Sequence, residues 1–247
     1  RQRQMCIRDS SNTSTENLNL FTFNLTSDDG WDAGMEGCDY VLHVASPLAL
    51  ENHTEDYFVK PAVEGAMRAL KFAKKHNVKK VVLTSSVAAI FETGIEKVDY
   101  DENDWSDPDN PKISNYAKSK TLAEKAAWDF LDQEDNPFEF AVINPALVIG
   151  PSLSGDLGVS NFAIEMVVTG KMPVAIPLQF GFVDVRDVAT AHILAMENTE
   201  SNGERFALAE SDLWYRDIAN LLRKNGFDKA PTFSVPVWLA KILAVFN

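Results

Sequence analysis

The chain is poor in the residues that would tie it to metals, membranes or nucleic acids. It has two cysteines, Cys6 and Cys38, too few for a disulfide framework, so a reducing cytoplasm is the expected setting. Its four histidines show no metal-ligand spacing, and no metal site is expected. His43, inside an apolar run, and His192, inside a helical one, read as structural. Positive charge is scarce: 23 Lys and Arg stand against 36 Asp and Glu, a formal net charge of −13. That balance argues against nucleic acid or an anionic membrane as a partner. It does not exclude an anionic cofactor, which local backbone amides can hold. No apolar run approaches the roughly 18 residues needed to cross a bilayer, and the closing 237–246 segment is interrupted by Lys241. A secretory signal is lacking too. Residues 1–10, RQRQMCIRDS, are basic and unlike the rest of the chain, and read as a non-native, adaptor-derived tail.

A glycine-rich turn able to cradle a pyrophosphate is also missing. Gly30, Gly34 and Gly37 have a suggestive spacing, but Asp28, Asp29, Asp32 and Glu36 around them would repel an anion. The run also leads straight into a strand without the long helix such a turn requires. The expectation is a fragment cut at both ends, starting at what would be a third strand. Such a fragment is expected to bind cofactor poorly and to be inactive by itself.

What is present alternates between strand and helix. Leu18–Phe23 has period-two apolar spacing and reads as a strand, and Asp28–Glu36 as a short helix. Asp39–Ala45 is a nearly continuous apolar run, expected of a strand buried on both faces. Thr54–His76 carries apolar residues at helical spacing, Lys80–Thr84 is a strand, Ile113–Leu131 a helix and Phe138–Ile143 another strand. This order implies an α/β fold: a parallel sheet with helices on both faces, joined by right-handed crossovers. Ligands in such folds sit at the carboxyl ends of the strands. There Ala45-Ser46-Pro47, Thr84-Ser85-Ser86 and Asn144-Pro145-Ala146 converge on one edge. Past Gly150 the pattern becomes irregular and then helical, with helices expected at Asn161–Val168, Val185–Met196, Trp214–Lys224 and 237–246. The expected organisation is a truncated nucleotide-binding domain over 11–150 and a partial substrate-binding region over 151–247, interleaved with it.

Tyr116 and Lys120 lie four residues apart, on one face of the expected helix. An ammonium beside a phenol favours the phenolate, lowering the tyrosine pKa from its ordinary value near 10. Such a Tyr can exchange protons near neutrality. Alone, the pair is an ordinary surface pattern. With a strand ending in Thr84-Ser85-Ser86 beside it, the set suits carbonyl–alcohol interconversion, Ser86 holding the substrate oxygen.

The runs GCDYVLHVASP (37–47), KKVVLTSS (79–86), YDENDWSD (100–107), YAKSKTLAEKAAWDF (116–130), NPALVIGP (144–151) and FVDVRDVATAHI (182–193) together resemble the extended short-chain dehydrogenases/reductases. Within these they resemble the group of dihydroflavonol, cinnamoyl-CoA and methylglyoxal/aldehyde reductases. The resemblance implies a Rossmann-type fold and NAD(P)H-dependent reduction of an aldehyde or ketone by hydride transfer. It implies Ser86, Tyr116 and Lys120 as catalytic residues, with Tyr116 as proton donor. Cofactor contacts are implied at Asn24, Leu25, Val44, Ala45, Ser46, Thr84, Ser85, Tyr116, Lys120, Pro145, Ala146, Leu147, Val148 and Ser160. Asn24 stands where the family usually has Asp and keeps hydrogen-bonding capacity without the charge. The resemblance favours NADP(H) over NAD(H), a small carbonyl substrate, and a monomer or homodimer. Asp184, Arg186 and Asp187 read as charges placed at a helix start rather than as catalytic groups. A sugar-nucleotide epimerase or dehydratase, a 3β-hydroxysteroid dehydrogenase-like enzyme and a non-catalytic NAD(P) sensor are the alternatives on the same fold.

Overall fold

The computed structural model describes residues 16–49, 53–95, 97, 99–153, 157–236 and 239. The tail expected at 1–10 and nearly all of the helix expected at 237–246 lie outside them. In chain order the elements are α1 (Trp31–Met35), β1 (Tyr40–His43), α2 (Glu55–Lys75), β2 (Lys80–Thr84), a 3-10 turn (Val87–Ala89) and α3 (Asn115–Gln133). Next come β3 (Glu139–Pro145), β4 (Leu147–Ile149), α4 (Gly158–Val168), β5 (Gln179–Asp184), α5 (Val185–Glu197), a second 3-10 turn (Thr199–Ser201), β6 (Arg205–Leu208), β7 (Ser211–Trp214) and α6 (Tyr215–Lys224). These elements divide into two compact units, one holding α1 to β3 with α5 and β6, the other β4, α4 and β5 with β7 and α6.

The first unit is built on a four-stranded sheet in the order β1-β2-β3-β6, with every pairing parallel. Val81, Val82, Phe140, Ala141, Val142 and Ile143 are buried, as strands covered on both faces require. On one face, α2 and α3 pack with Ala62, Ala66, Ala73, Ala123 and Ala127 against Val81, Phe140 and Val142. Small residues at these contacts let the helices approach closely. On the other face Ala191, Ala195 and Met196 of α5 cover Val82, Ala141 and Ile143. The α/β class with a parallel sheet flanked by helices is thus present.

Helix α3 has an explicit start. Ser114 accepts from Ala117 N at 3.1 Å and caps the first turn. Glu92 then grips the cap itself, accepting from Ser114 N at 2.8 Å and Ser114 Oγ at 2.9 Å. Helix α2 carries Glu55 and Asp56 in its first turn and Lys74 and Lys75 in its last, matching the helix dipole.

Three expectations are corrected. Strand β1, expected to be buried on both faces, is the edge strand of the described four-stranded sheet, with Tyr40 and Leu42 exposed. Leu18–Phe23 forms no strand. Phe23 instead lies on Trp31, ring centroids 4.5 Å apart, and Trp31 Nε1 donates to Asn24 O at 2.8 Å. The nearby glycines serve this packing. Gly30 has φ 84°, and a Cβ there would clash with Thr22 O; one at Gly34 would meet the Phe23 ring at 2.8 Å. Another correction concerns the chain from Leu147 on, where past Gly150 the sequence pattern favours helices. The second unit contains a three-stranded sheet in the order β4-β5-β7, β4 parallel and β7 antiparallel to β5, and β6 joins the sheet of the first unit. These strands are three to six residues long, too short for periodicity to separate them from helix ends. In the second unit, Val167, Ala175, Tyr215, Ala219 and Ala230 form the core. No described helix is long and apolar enough to cross a membrane.

Candidate functional site

Strand β2 ends at Thr84 and the chain turns through Ser85 and Ser86 into the 3-10 turn. Ser85 N donates to Ile143 O at 2.8 Å, which continues the β2–β3 pairing by one residue. Ser86 caps the turn: its Oγ accepts from Ala88 N at 3.1 Å. Its O–H remains free to donate, and Ser86 acts on the Tyr116 phenol to favour its ionised form. The turn is held from behind by Ser106, fully buried, which donates to Ala88 O at 2.8 Å and accepts from Glu92 N at 2.8 Å.

Tyr116 stands in the first turn of α3 and Lys120 one turn later. Lys120 is 6% exposed. Its Nζ donates to Thr84 O at 3.2 Å and lies 6.0 Å from the centre of the Tyr116 ring. Thr84 is itself fixed from α5. His192 Nδ1 lies 2.7 Å from Val188 O, an acceptor, so Nδ1 carries the proton and Nε2 accepts from Thr84 Oγ1 at 2.6 Å. The structural role expected of His192 is thus a specific one: it buttresses the residue whose carbonyl holds Lys120.

The electrostatics differ from expectation in sign. Burial holds the Tyr116 pKa above its ordinary value, the Ser86 hydrogen bond opposing it. Burial also lowers Lys120 from 10.5 to about 8, partly offset by the Glu124 carboxylate. The expected lowering of Tyr116 by Lys120 is therefore corrected for this state of the chain. Desolvation sets the direction, and Lys120, 6.0 Å from the ring centre, is not among the groups that shift the phenol. His43, 8% exposed at the end of β1, is pushed down to about 4 by burial and then by the Lys120 charge.

A small cavity with room for about one water molecule is lined by His43, Ala45, Ser46, Ser85, Lys120 and Glu124, among others. Ser85 Oγ is buried without a hydrogen-bond partner. The structure thus brings together Ser86, Tyr116, Lys120, Thr84, Ser85, Ala45 and Ser46. Val44 is exposed just beyond β1. Pro145 and Ala146 close β3, Ala146 N donating to Leu208 O at 2.9 Å. Asn24 and Leu25 do not line this cavity. The Asn24 side chain accepts from Thr26 N at 3.2 Å, and Leu25 packs with Trp31, Met35 and Ala69. Leu147 and Val148 lie on β4, and Ser160 in the first turn of α4, within the second unit. Asp187 sits in the first turn of α5. Among the described residues, no group of three or more His, Cys, Asp and Glu is placed to hold a metal.

Three site residues are not visible from sequence: Glu124, Asn144 as a side chain, and Arg205. Glu124 and Asn144 are fully buried. Glu124 accepts from Arg205 Nε at 2.5 Å and from Asn144 Nδ2 at 2.9 Å. Only Glu124 leaves a local signal, as a carboxylate four residues past Lys120 on the same helix face.

A parallel sheet with helices on both faces is the Rossmann-type arrangement. A family model described as the NAD dependent epimerase/dehydratase family matches residues 4–209, and the chain belongs to that family. It is 39% identical over 216 residues to a cinnamoyl-CoA reductase of Medicago truncatula, covering 85% of this chain and 65% of that protein. It is 34% identical over 227 residues to a dihydroflavonol 4-reductase of Arabidopsis thaliana, covering 89% of this chain and 58% of the relative. The chain therefore spans less than two thirds of the length of these relatives. Among solved structures, yeast methylglyoxal/isovaleraldehyde reductase Gre2 complexed with NADPH superposes with TM-score 0.74 at 28% identity, over 87% of this chain and 69% of that one.

Proposed function

We propose that the protein of which this chain forms part reduces an aldehyde or ketone to an alcohol, with NADPH as hydride source. The observation that carries the reading is the placement of Lys120 one helical turn from Tyr116, its Nζ bonded to Thr84 O at 3.2 Å where β2 runs into Ser85 and Ser86. A phenol held protonated is a donor, which suits the reductive direction, where negative charge grows on the carbonyl oxygen. Tyr116 gives its proton to that oxygen, while Ser86 donates a hydrogen bond to it and stabilises the charge. Lys120, with its pKa near 8, carries the charge that returns a proton to the site.

The residues present fit a nicotinamide cofactor. Lys120 Nζ has three hydrogens, one of them directed at Thr84 O, and Ser85 Oγ is buried without a partner beside Ala45 and Ser46. These residues would hold it, and when bound it supplies the hydride. The preference for NADPH comes from the yeast neighbour, whose structure contains it. Roles for Asn24, Leu25, Val44, Pro145, Ala146, Leu147, Val148 and Ser160 as cofactor contacts belong to the same proposal. So do a substrate-binding role for 151–247, a cytoplasmic setting and a monomeric or homodimeric state.

The family description also covers epimerases and dehydratases, so the test offers both chemistries. The chain, extended by a relative's first strand, Gly-rich turn and helix, is given NADPH with an aldehyde and ketone panel, and separately NAD with UDP-sugars. Consumption of NADPH with an aldehyde or ketone supports the proposal. Conversion of a UDP-sugar without it would replace the proposal by the epimerase reading.

A further inference from the structure

We propose that Glu124 is the positioning residue of this site, one buried carboxylate that sets both the backbone at Ser86 and the charge at Lys120. The proposal rests on reading Ser86, Tyr116 and Lys120 as the reacting set. Glu124 lies on α3, one turn beyond Lys120 and two beyond Tyr116, and is 0% exposed. One of its oxygens takes Arg205 Nε at 2.5 Å. The other takes Asn144 Nδ2 at 2.9 Å, and the same amide group donates to Ser86 O at 3.2 Å. A single side chain thus links the helix of Tyr116 and Lys120 to the end of β3, to β6 and to the Ser86 carbonyl.

The far end of the chain of contacts is anchored as firmly. Arg205 Nη1 donates to Glu102 O at 2.6 Å and Asp104 O at 2.8 Å. Its guanidinium lies 3.7 Å from the centre of the Trp105 ring. The segment 102–106 therefore reaches the site twice: through Arg205 to Glu124, and through Ser106 to the 3-10 turn after Ser86.

As a stabilising device this arrangement is poor. Removing two charges from water costs several kcal/mol per ion, and a well-packed apolar pair often does as well. Asn144 Oδ1 and Arg205 Nη2 are moreover buried without hydrogen-bond partners. What an apolar pair cannot do is orient a backbone carbonyl and place a negative charge beside Lys120. Glu124 lines the Lys120 cavity. The other groups facing Lys120 are His43 from β1, the Thr84 carbonyl from β2 and the Tyr116 ring on α3.

The test reads Lys120 directly and needs no turnover, so a failed reductase assay leaves it interpretable. The chain is labelled with 13C at lysine Cε, the Lys120 signal is assigned with Lys120→Arg, and its titration is followed by NMR. Glu124→Gln removes the negative charge and keeps the shape, and is expected to move the Lys120 midpoint down by about one pH unit. Arg205→Met leaves Glu124 uncompensated and is expected to move the midpoint up. Glu124→Asp, which restores the charge, is expected to return the midpoint toward that of the unmodified chain. Shifts of opposite sign from the two halves of one ion pair are a signature that loosened packing does not produce. Shifts of the same sign, no shift in Glu124→Gln, or loss of the folded state in both variants would overturn the assignment and leave the pair a structural one.

Discussion

Lys120→Met should make the folded chain more stable at neutral pH while destroying the charge the proposed chemistry needs. Burial holds Lys120 at about 8 against an ordinary 10.5. At about 1.4 kcal/mol per pH unit, this is about 3 kcal/mol by which folding disfavours the ammonium at pH 7. Methionine keeps the apolar stem and gives up the hydrogen bond to Thr84 O, worth about 1 kcal/mol. The net expectation is a gain of about 1–2 kcal/mol at pH 7. Its pH dependence comes from the depressed pKa. Above pH 10.5 the lysine is neutral in both states and there is no penalty. As pH falls toward 8, the unfolded chain takes up a proton that the folded chain does not, so stability is lost across that window. Below 8 the penalty is complete and constant. Urea unfolding of both chains at intervals from pH 7 to 10.5 measures the difference directly, because other titrating groups cancel. The advantage of the variant should shrink across pH 8 to 10.5. A difference that stays constant across that window would refute the account of Lys120.

Two further outcomes are expected. His43, at about 4 against an ordinary 6.5, contributes stability that is fully present above pH 6.5 and is lost as pH falls toward 4. The loss is about 3 kcal/mol at most; urea midpoints compared with His43→Leu should show that slope only in the unmodified chain. Ser106→Ala removes the partners of Ala88 O and Glu92 N and should cost about 1–3 kcal/mol, read from the urea midpoint at constant m-value.

Much of the first unit was legible because its signals are local. Strand β2 matches the apolar run Lys80–Thr84 residue for residue. Helix α3 begins at its Ser114 cap, so Tyr116 and Lys120 share a face as their spacing implied. Leu18–Phe23 failed because its alternation is not matched by burial: Leu18, Leu20 and Phe21 are exposed, and only Phe23 rests on Trp31. The strands from Leu147 on failed because they are short and pair with distant partners. The Glu124–Arg205 pair spans 81 residues and leaves no periodic trace. The sign of the Tyr116 shift was out of reach for another reason: spacing places a lysine on the same helix face, while the direction is set by burial.

The central claim is that Tyr116 donates the proton in carbonyl reduction. It is tested most directly by NADPH oxidation with an accepted aldehyde, measured for the extended chain and its Tyr116→Phe variant. Both are first shown to bind NADPH with similar affinity. The account predicts a loss of about 100-fold or more in turnover for the variant. Turnover within a few-fold of the unmodified chain would contradict it and move the proton donor elsewhere.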